Sequence, residues 1–254
     1  MPSYAILGAT GQNGNALLGV LMQSENNQIN AYCRSKSKLL SQFPQYSNDS
    51  RLRIFEGSLD DTKLLANCCR GVRAVFMAVA ARGNEPGCHI AQDTAHQVIA
   101  AMQLLRDEKT TKLPTLIMLS SASTEPHLCR NMPRLAHLVL YTSLSHIYRD
   151  LEAAERHLRS HADWLNVVYF KPGAISHDVQ AGHVLSTERQ ASPVSYLDVA
   201  AGMVECADAG EVWVSKAVSV LSKAERVKIP WEAPVALVKG LLLHFFPWLW
   251  RWLG

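Results

Sequence analysis

The stretch "LGATGQNG", residues 7–14, joins an apolar run at 4–8 to a segment with helical spacing at 12–23. Its three glycines form a GxxGxxG pattern. Glycine allows a tight turn after a strand and lets the backbone approach a pyrophosphate, which then lies at the positive end of the next helix. A plain strand–helix turn is the alternative, but the order of strand, glycines and helix predicts a dinucleotide-binding loop. The loop residues assigned to cofactor binding are Gly8, Thr10, Gly11, Gln12, Asn13 and Gly14.

Outside this loop, apolar β-rich runs alternate with helical patterns along most of the chain. The candidate strands are 4–8, 29–33, 52–56, 73–79, 115–120 and 165–170, with a further strand near 211–219. The candidate helices are 12–23, 60–70, 89–107, 134–160 and 196–207. Strands that are apolar throughout and separated by helices indicate a parallel sheet covered on both faces. We therefore predict one doubly wound α/β (Rossmann) domain over 1–254, in which 173–254 supplies substrate-facing elements and an apolar tail.

Composition excludes several classes of protein. The 254 residues are 48% hydrophobic and 19% charged, as in an ordered globular protein. The net charge of +3 is spread along the chain without a basic run, which argues against a nucleic-acid partner. Six cysteines without a CxxC pair predict reduced thiols, with neither a metal site nor disulfides. Because the first strand begins near Tyr4, leaving no room for a leader peptide, we expect a cytoplasmic protein.

The second candidate strand is followed by a basic segment, "CRSKSK" at 33–38. A site that prefers NAD places a carboxylate about 20 residues after the glycine loop, where it binds the ribose hydroxyls. This chain has Arg34 there, with Lys38 close behind and no acid nearby. A guanidinium suits the 2′-phosphate of NADP, so we predict NADP. A solvated basic helix start is the alternative.

Together these motifs resemble the atypical, NmrA-like branch of the short-chain dehydrogenase superfamily, in particular small fungal NAD(P)-binding proteins related to averufin oxidase and found beside polyketide pathway genes. The resemblance covers nearly the whole chain. Besides the glycine loop and Arg34, it rests on "EGSLDD" (56–61), "VFMAVA" (75–80), "LSSAS" (119–123), "FKPG" (170–173) and "YLDVA" (196–200).

The resemblance implies further site residues. It places Leu59, Asp60, Ala78 and Lys171 near the cofactor, although this chain has Ser58 where relatives usually carry an aspartate. It also implies that Ser121 or Ser123 steadies the substrate carbonyl, at the strand end where open α/β sheets bind ligands. Serines that only cap a strand end are the alternative.

The segment "HIYRDLEAAERHLR" at 146–159 departs from the pattern of many nicotinamide-dependent enzymes, which place a lysine four residues after a reactive tyrosine. Here Glu152 follows Tyr148 at that spacing, and no lysine occurs between Lys112 and Lys171. A carboxylate disfavours the phenolate that a lysine would favour. We therefore expect Tyr148 to stay neutral and to act as a proton donor, with Glu152 solvated or paired with Arg149 or Arg156. Other acid–base candidates are Lys171, His177 and Asp178, with His146 a weaker one.

The last stretch, 233–254, is rich in tryptophan, phenylalanine and leucine but is interrupted by Lys239, Pro247 and Arg251. It is too short to span a membrane, which takes about 20 apolar residues. Four interpretations remain open: packing within the fold, a homodimer contact, a lid over an apolar substrate, and a segment that lies on a membrane surface.

Three functions are compatible with these residues. The first is an NADP-dependent oxidoreductase acting on an apolar or aromatic, polyketide-like intermediate. The second is an isomerase, dehydratase or cyclase that uses the same pocket without redox chemistry. The third is an NmrA-type regulator that senses NADP without turnover.

Overall fold

The computed structural model describes residues 1–81, 83–108, 112–191, 193–224 and 233–254. Eight of its strands form one sheet, in the order β3-β2-β1-β4-β5-β6-β10-β8. These strands are β1 (Ser3–Leu7), β2 (Gln28–Cys33), β3 (Leu52–Glu56), β4 (Ala74–Met77), β5 (Thr115–Leu119), β6 (Val167–Phe170), β8 (His183–Ser186) and β10 (Ala217–Ser222). All neighbours are parallel except β8, which runs antiparallel to β10. A separate parallel pair joins β7 (Ile175–Ser176) to β9 (Val194–Ser195).

The helices cover both faces of the sheet. They are α1 (Gln12–Met22), α2 (Lys36–Gln42), α3 (Thr62–Cys69), α4 (Ile90–Asp107), α5 (Arg134–Ser143), α6 (Ser145–Arg159), α7 (Tyr196–Asp208), α8 (Ala233–Phe245) and α9 (Trp250–Leu253). One apolar core lies between the sheet and the α1–α7 side, and a second lies between the sheet and α3, α4 and α6. The predicted doubly wound fold is therefore confirmed.

Burial explains why the central strands carry so few polar residues. All four residues of β4 are buried, as are the last four of β5, because helices cover the sheet above and below. Side chains cap the starts of several helices. Asp61 accepts a hydrogen bond from the amide of Leu64 in α3, and Asp150 of α6 accepts from the amides of Ala91 and Gln92 in α4.

Two predicted elements differ from the structure. The helix predicted at 134–160 is two helices, because the backbone departs from helical geometry at Leu144, with φ −123° and ψ 22°. The side chain of Asn84, from the segment after β4, accepts a hydrogen bond from the first-turn amide of His146. The strand predicted near 211–219 is β10 at 217–222, because a turn occupies 211–215 and ends at Ser215 with φ +64°.

Candidate active site

The glycine loop connects β1 to α1 through positions that only glycine fits. Gly8 has φ +85°, and a Cβ there would lie 2.9 Å from the carbonyl oxygen of Ala78. A Cβ on Gly14 would overlap the carbonyl of Gly8, because the first turn of α1 packs directly on the loop. Glycine at these two positions therefore sets the close approach of strand, helix and loop.

A cavity of about 330 Å³ opens in front of this loop, at the carboxyl ends of β1 to β4. It is lined by Gly8, Thr10, Gly11, Tyr32, Cys33, Arg34, Lys38, Gly57, Ser58, Leu59, Asp60, Ala78, Val79, Ala80, Ile90 and Asp93. Eight of these were assigned to the cofactor from the sequence: Gly8, Thr10, Gly11, Arg34, Lys38, Leu59, Asp60 and Ala78. The structure brings them together although they follow four different strands.

Four other residues assigned to the cofactor do not line this cavity. Gly14 lies buried beneath the loop, and Lys171 is fully buried elsewhere. The side-chain oxygen of Asn13 is buried and has no hydrogen-bond partner in the described part of the chain. Gln12 instead contacts His177 and Tyr196, which lie after β6.

The contacts of Gln12 also account for His177. The amide nitrogen of Gln12 lies 3.0 Å from Nε2 of His177, and Tyr196 donates a hydrogen bond of 2.6 Å to the amide oxygen of Gln12. An amide nitrogen cannot accept, so Nε2 of His177 is the acceptor. The His177 and Tyr196 rings stand 4.6 Å apart. His177 is thus placed beside the glycine loop, with Asp178 following it and accepting a hydrogen bond from the amide of Val179.

The residues that line the cavity fit the phosphates of a dinucleotide. The loop offers a glycine cradle that a Cβ would fill, at the amino end of α1. Arg34 and Lys38 are exposed and have no ion-pair partner among the described residues, so both cations can receive a phosphate. The lining contains two carboxylates. Asp60 follows β3 and Asp93 lies in the first turn of α4, so neither stands at the end of β2.

Tyr148 stands beside the next strand end. Strands β4 and β5 are parallel neighbours, so Ser120 and Ser121 after β5 lie at the same sheet edge as Val79 and Ala80 in the cavity wall. Burial raises the pKa of the Tyr148 phenol, while hydrogen bonding with Ser123 and Ser121 acts in the opposite direction. The phenol is therefore neutral at pH 7, and both serines assigned from the sequence lie near it.

Glu152, four residues after Tyr148, is bonded to a different tyrosine. It accepts a hydrogen bond of 2.8 Å from the hydroxyl of Tyr141, and the expectation of a solvated or arginine-paired Glu152 was wrong. Burial, followed by this hydrogen bond, raises the pKa of Tyr141 to about 12. The rings of Tyr141 and Tyr148 lie 5.4 Å apart. The carboxylate is directed to the second tyrosine because the chain turns at Leu144 and brings α5 alongside α6.

Lys171 is fully buried in a network of charges. Its amine donates hydrogen bonds to both carboxylate oxygens of Glu155, at 2.7 and 2.8 Å, and to Oγ1 of Thr124, at 2.8 Å. The carboxylate of Glu125 lies 3.4 Å from the same amine. These partners occupy all three protons of the amine, so the structure does not present Lys171 to the cofactor cavity as expected.

This network holds the turn that carries the serines. Ser120 donates a hydrogen bond of 2.5 Å to Glu155, and the Thr124 hydroxyl donates to the carbonyl of Ser121 at 2.8 Å. Sequence reasoning missed Glu155, although a signal was present. Glu155 lies four residues after Leu151 and three before Leu158, so it is a carboxylate on the buried stripe of an amphipathic helix.

His146 lies away from the serine turn, against the tail. Burial lowers the pKa of its imidazole, and its Nε2 is buried without a hydrogen-bond partner among the described residues. Its backbone amide is bound by Asn84 and its ring lies 6.3 Å from that of His244 in α8. The structure therefore does not place His146 beside the hydroxyl groups of Tyr148, Ser121 and Ser123.

Comparison with known proteins identifies the scaffold. The family described as NAD(P)H-binding matches residues 8–209, which include the glycine loop, the cavity wall, Tyr148 and Lys171. The chain belongs to this family. Membership confirms the resemblance to the atypical short-chain dehydrogenase superfamily that the glycine loop and later motifs suggested.

Relatives of this NAD(P)H-binding protein are named as oxidoreductases. Oxidoreductase aflX of Aspergillus parasiticus is 48% identical over 100% of this chain and 96% of its own length. Oxidoreductase ordB of Dothistroma septosporum is 46% identical over 100% of this chain and 96% of its own length. The expected enzyme class, an oxidoreductase, is thereby confirmed.

Solved structures show the same fold. A short-chain dehydrogenase/reductase of Veillonella parvula in complex with NADP matches with a TM-score of 0.68 and 18% identity. The match covers 91% of this NAD(P)H-binding chain and 99% of the other. At this identity the likeness concerns the fold alone.

Proposed function

We propose that the protein is an NADPH-dependent reductase that acts on a carbonyl group of an apolar, aromatic intermediate of a fungal polyketide pathway. The observation that carries the proposal is the buried phenol of Tyr148 near Ser121 and Ser123, two serines at the sheet edge that also lines the glycine-loop cavity. The names of the relatives favour this redox function over a non-redox enzyme or an NADP-sensing regulator.

The proposed chemistry divides between cofactor and protein. NADPH, when bound, supplies a hydride to the substrate carbonyl carbon. Tyr148 donates its phenolic proton to the carbonyl oxygen, for which a positioned neutral hydroxyl is suited. The hydroxyls of Ser123 and Ser121 stabilise the phenolate that remains, in the direction opposite to burial. Bulk water then returns the proton.

Lys171 has a positioning role in this scheme. Its amine is bound by Glu155 and Thr124, and Thr124 in turn fixes the carbonyl of Ser121. Other reductases use a lysine next to their tyrosine. In this scheme the ion pair of Lys171 and Glu155 stands in its place and fixes the serines. His177 fixes the other side of the site by holding Gln12 of the glycine loop.

The choice of NADPH over NADH follows from the end of β2. Arg34 and Lys38 line the cavity at the position where a site for NAD carries an acid. A guanidinium binds a phosphate through charge-assisted hydrogen bonds.

All six cysteines are free thiols, in keeping with the proposed cytoplasmic setting.

The test is hydride transfer. NADPH carrying deuterium at C4 is incubated with the protein and a set of aromatic polyketide ketones, and the alcohol product is analysed for deuterium by mass spectrometry. Deuterium in the product, together with oxidation of NADPH at the same rate, supports the proposal. A substrate that is converted without NADPH oxidation would establish a non-redox enzyme instead.

A further inference from the structure

The tail is fixed to the fold along one side of α8. A Cβ on Gly240 would overlap the carbonyl of Ser143, so α8 packs closely on the end of α5. Leu243 is buried, and the side chains of Ser145 and His244 are joined by a hydrogen bond of 2.7 Å. Asn84 donates to the carbonyl of Gly240. The interpretation of packing within the fold therefore holds for this side.

The other side of the tail is exposed and apolar. In α5, Leu135 and Leu138 are 72% and 60% exposed, and in the tail Trp248 and Trp252 are 65% and 75% exposed. We call the following set the apolar face: Leu135, Leu138, Val139, Val235, Val238, Leu242, Phe245, Phe246, Trp248 and Trp252. These ten side chains come from α5 and α8, which pack on each other, and from the segment after α8 that includes α9. So many large exposed apolar residues mark a contact surface.

The charged residues in the segments that carry this face have one sign. No aspartate or glutamate occurs from 126 to 149 or from 233 to 254. The cations Arg134, Lys239 and Arg251 lie among the apolar residues, and Arg251 stands 5.8 Å from the ring of Trp252. The face therefore suits an apolar partner that carries negative charge.

An anionic lipid surface has this combination of properties. A second copy of the chain in a two-fold dimer would set two faces of the same charge against each other. A lid is not supported, because no described residue of 233–254 lines the cavity in front of the glycine loop. Tryptophan, phenylalanine and leucine with interspersed lysine and arginine are typical of helices that lie in the membrane interface.

We infer that the apolar face docks the protein on anionic membrane surfaces. None of the helices in the described ranges is long and apolar enough to cross a bilayer. Helix α8 has 13 residues and is about 20 Å long at 1.5 Å per residue. We therefore expect it to lie along the membrane surface. Trp250 packs near Gly83, just after the cavity-wall residues 78–80. Docking therefore sets the membrane beside the site, where an apolar substrate dissolved in lipid is within reach.

The experiment is flotation of the full chain with two kinds of vesicle, phosphatidylcholine alone and phosphatidylcholine mixed with phosphatidylserine. We expect flotation with the mixed vesicles only, with loss as salt is raised. The variant Trp248→Ser/Trp252→Ser removes exposed rings and should lower the bound fraction at least about tenfold. Lys239→Gln should weaken partitioning about fivefold.

A control variant and a second measurement make the outcome decisive. Val212→Ser changes a 57% exposed apolar side chain outside the face and should float like wild type. Circular dichroism and NADPH binding check that the tryptophan variant remains folded. The inference is overturned if wild type floats with neither vesicle, or equally with both. It is also overturned by a second result. In that result wild type binds no vesicles, and light scattering shows a dimer for wild type and Val212→Ser but a monomer for the tryptophan variant.

Discussion

The two halves of the site are built by different means. At the ends of β1 to β4, the cofactor half depends on backbone shape, with Gly8 and Gly14 in positions that exclude a Cβ. At the ends of β5 and β6, the half that is proposed to donate the proton, the proton half, depends on side chains, with Tyr148 near Ser121 and Ser123 on a turn held by buried charges. The motifs of the first half are each contained in a few consecutive residues, whereas the contacts of the second half join residues far apart in sequence.

This difference suggests where the site is vulnerable. A side-chain change in the cofactor half removes one contact to a large ligand and leaves the cradle in place. A change in the proton half removes either the reacting group itself or the partner of a buried charge. We therefore expect larger effects from the proton half, and the predictions below are arranged to test that order.

The largest effect is expected from Tyr148→Phe. If Tyr148 donates the proton, its loss should lower turnover by about 10²–10⁴-fold, the range for a positioned general acid. NADPH affinity should remain unchanged because Tyr148 does not line the cofactor cavity. Steady-state kinetics and cofactor titration measure the two. Turnover within a few-fold of wild type would leave Tyr148 a structural residue.

The pH dependence of turnover tests the same residue. Burial raises the pKa of Tyr148 above its usual value of 10.0, so the proton donor stays protonated through the neutral range. The Tyr148-dependent part of kcat should be constant from neutral pH to about 10 and should decline only above it. A fall in kcat between pH 7 and 9 that Tyr148→Phe abolishes would contradict this assignment.

Next in size is Lys171→Met, which leaves Glu155 buried without its partner. Removing one member of a buried ion pair costs about 3–5 kcal/mol of stability. Urea unfolding measures the loss. Arg159→Met is the matched control, since Arg159 lies 3.8 Å from the same carboxylate but is 43% exposed, and it should cost less than about 1 kcal/mol.

A double variant separates positioning from simple stability. Lys171→Met/Glu155→Met removes both charges and should recover much of the stability. It also removes the acceptor of Ser120 and the donor to Thr124, so the serine turn loses its support. We expect kcat to remain low while KM changes little. Recovery of kcat together with stability would show that the pair does not position the serines.

Sequence alone predicted the cofactor half because its information is local. The glycine spacing and the basic residue after the second strand are each contained in a few consecutive positions. The proton half was harder to predict because its contacts are distant. Lys171 meets Glu155 across 16 residues, and the break at Leu144 depends on Asn84, 62 residues before His146. Tyr148 and Glu152 matched the expected spacing, but the fold directs the glutamate to Tyr141.

A smaller effect is expected in the cofactor half from Arg34→Ala. Loss of one charge-assisted contact to the 2′-phosphate should cost about 1.5–3 kcal/mol in NADPH binding. NADH affinity should change little. Lys36→Ala is the matched control, being a nearby exposed cation that does not line the cavity. Isothermal titration of the three proteins with both dinucleotides measures the six affinities. Equal affinity of wild type for NADPH and NADH would refute the assignment.

The smallest effect is expected from Tyr141→Phe, the counterpart of the first variant one helix away. Tyr141 loses a hydrogen bond to Glu152, but Glu152 is only half-buried and water can replace the phenol. The cost should be about 1 kcal/mol of stability, with turnover unchanged.

The alkaline range gives this variant a second measurement. The folded protein holds the pKa of Tyr141 at about 12, against 10.0 for an ordinary tyrosine. A raised folded pKa means that its contribution to stability is complete below pH 10 and is lost as pH rises towards 12. The difference in stability between wild type and Tyr141→Phe should therefore shrink over that interval. A large loss of turnover in Tyr141→Phe, with Tyr148→Phe active, would transfer the proton-donor role to Tyr141 and would make Glu152 its partner.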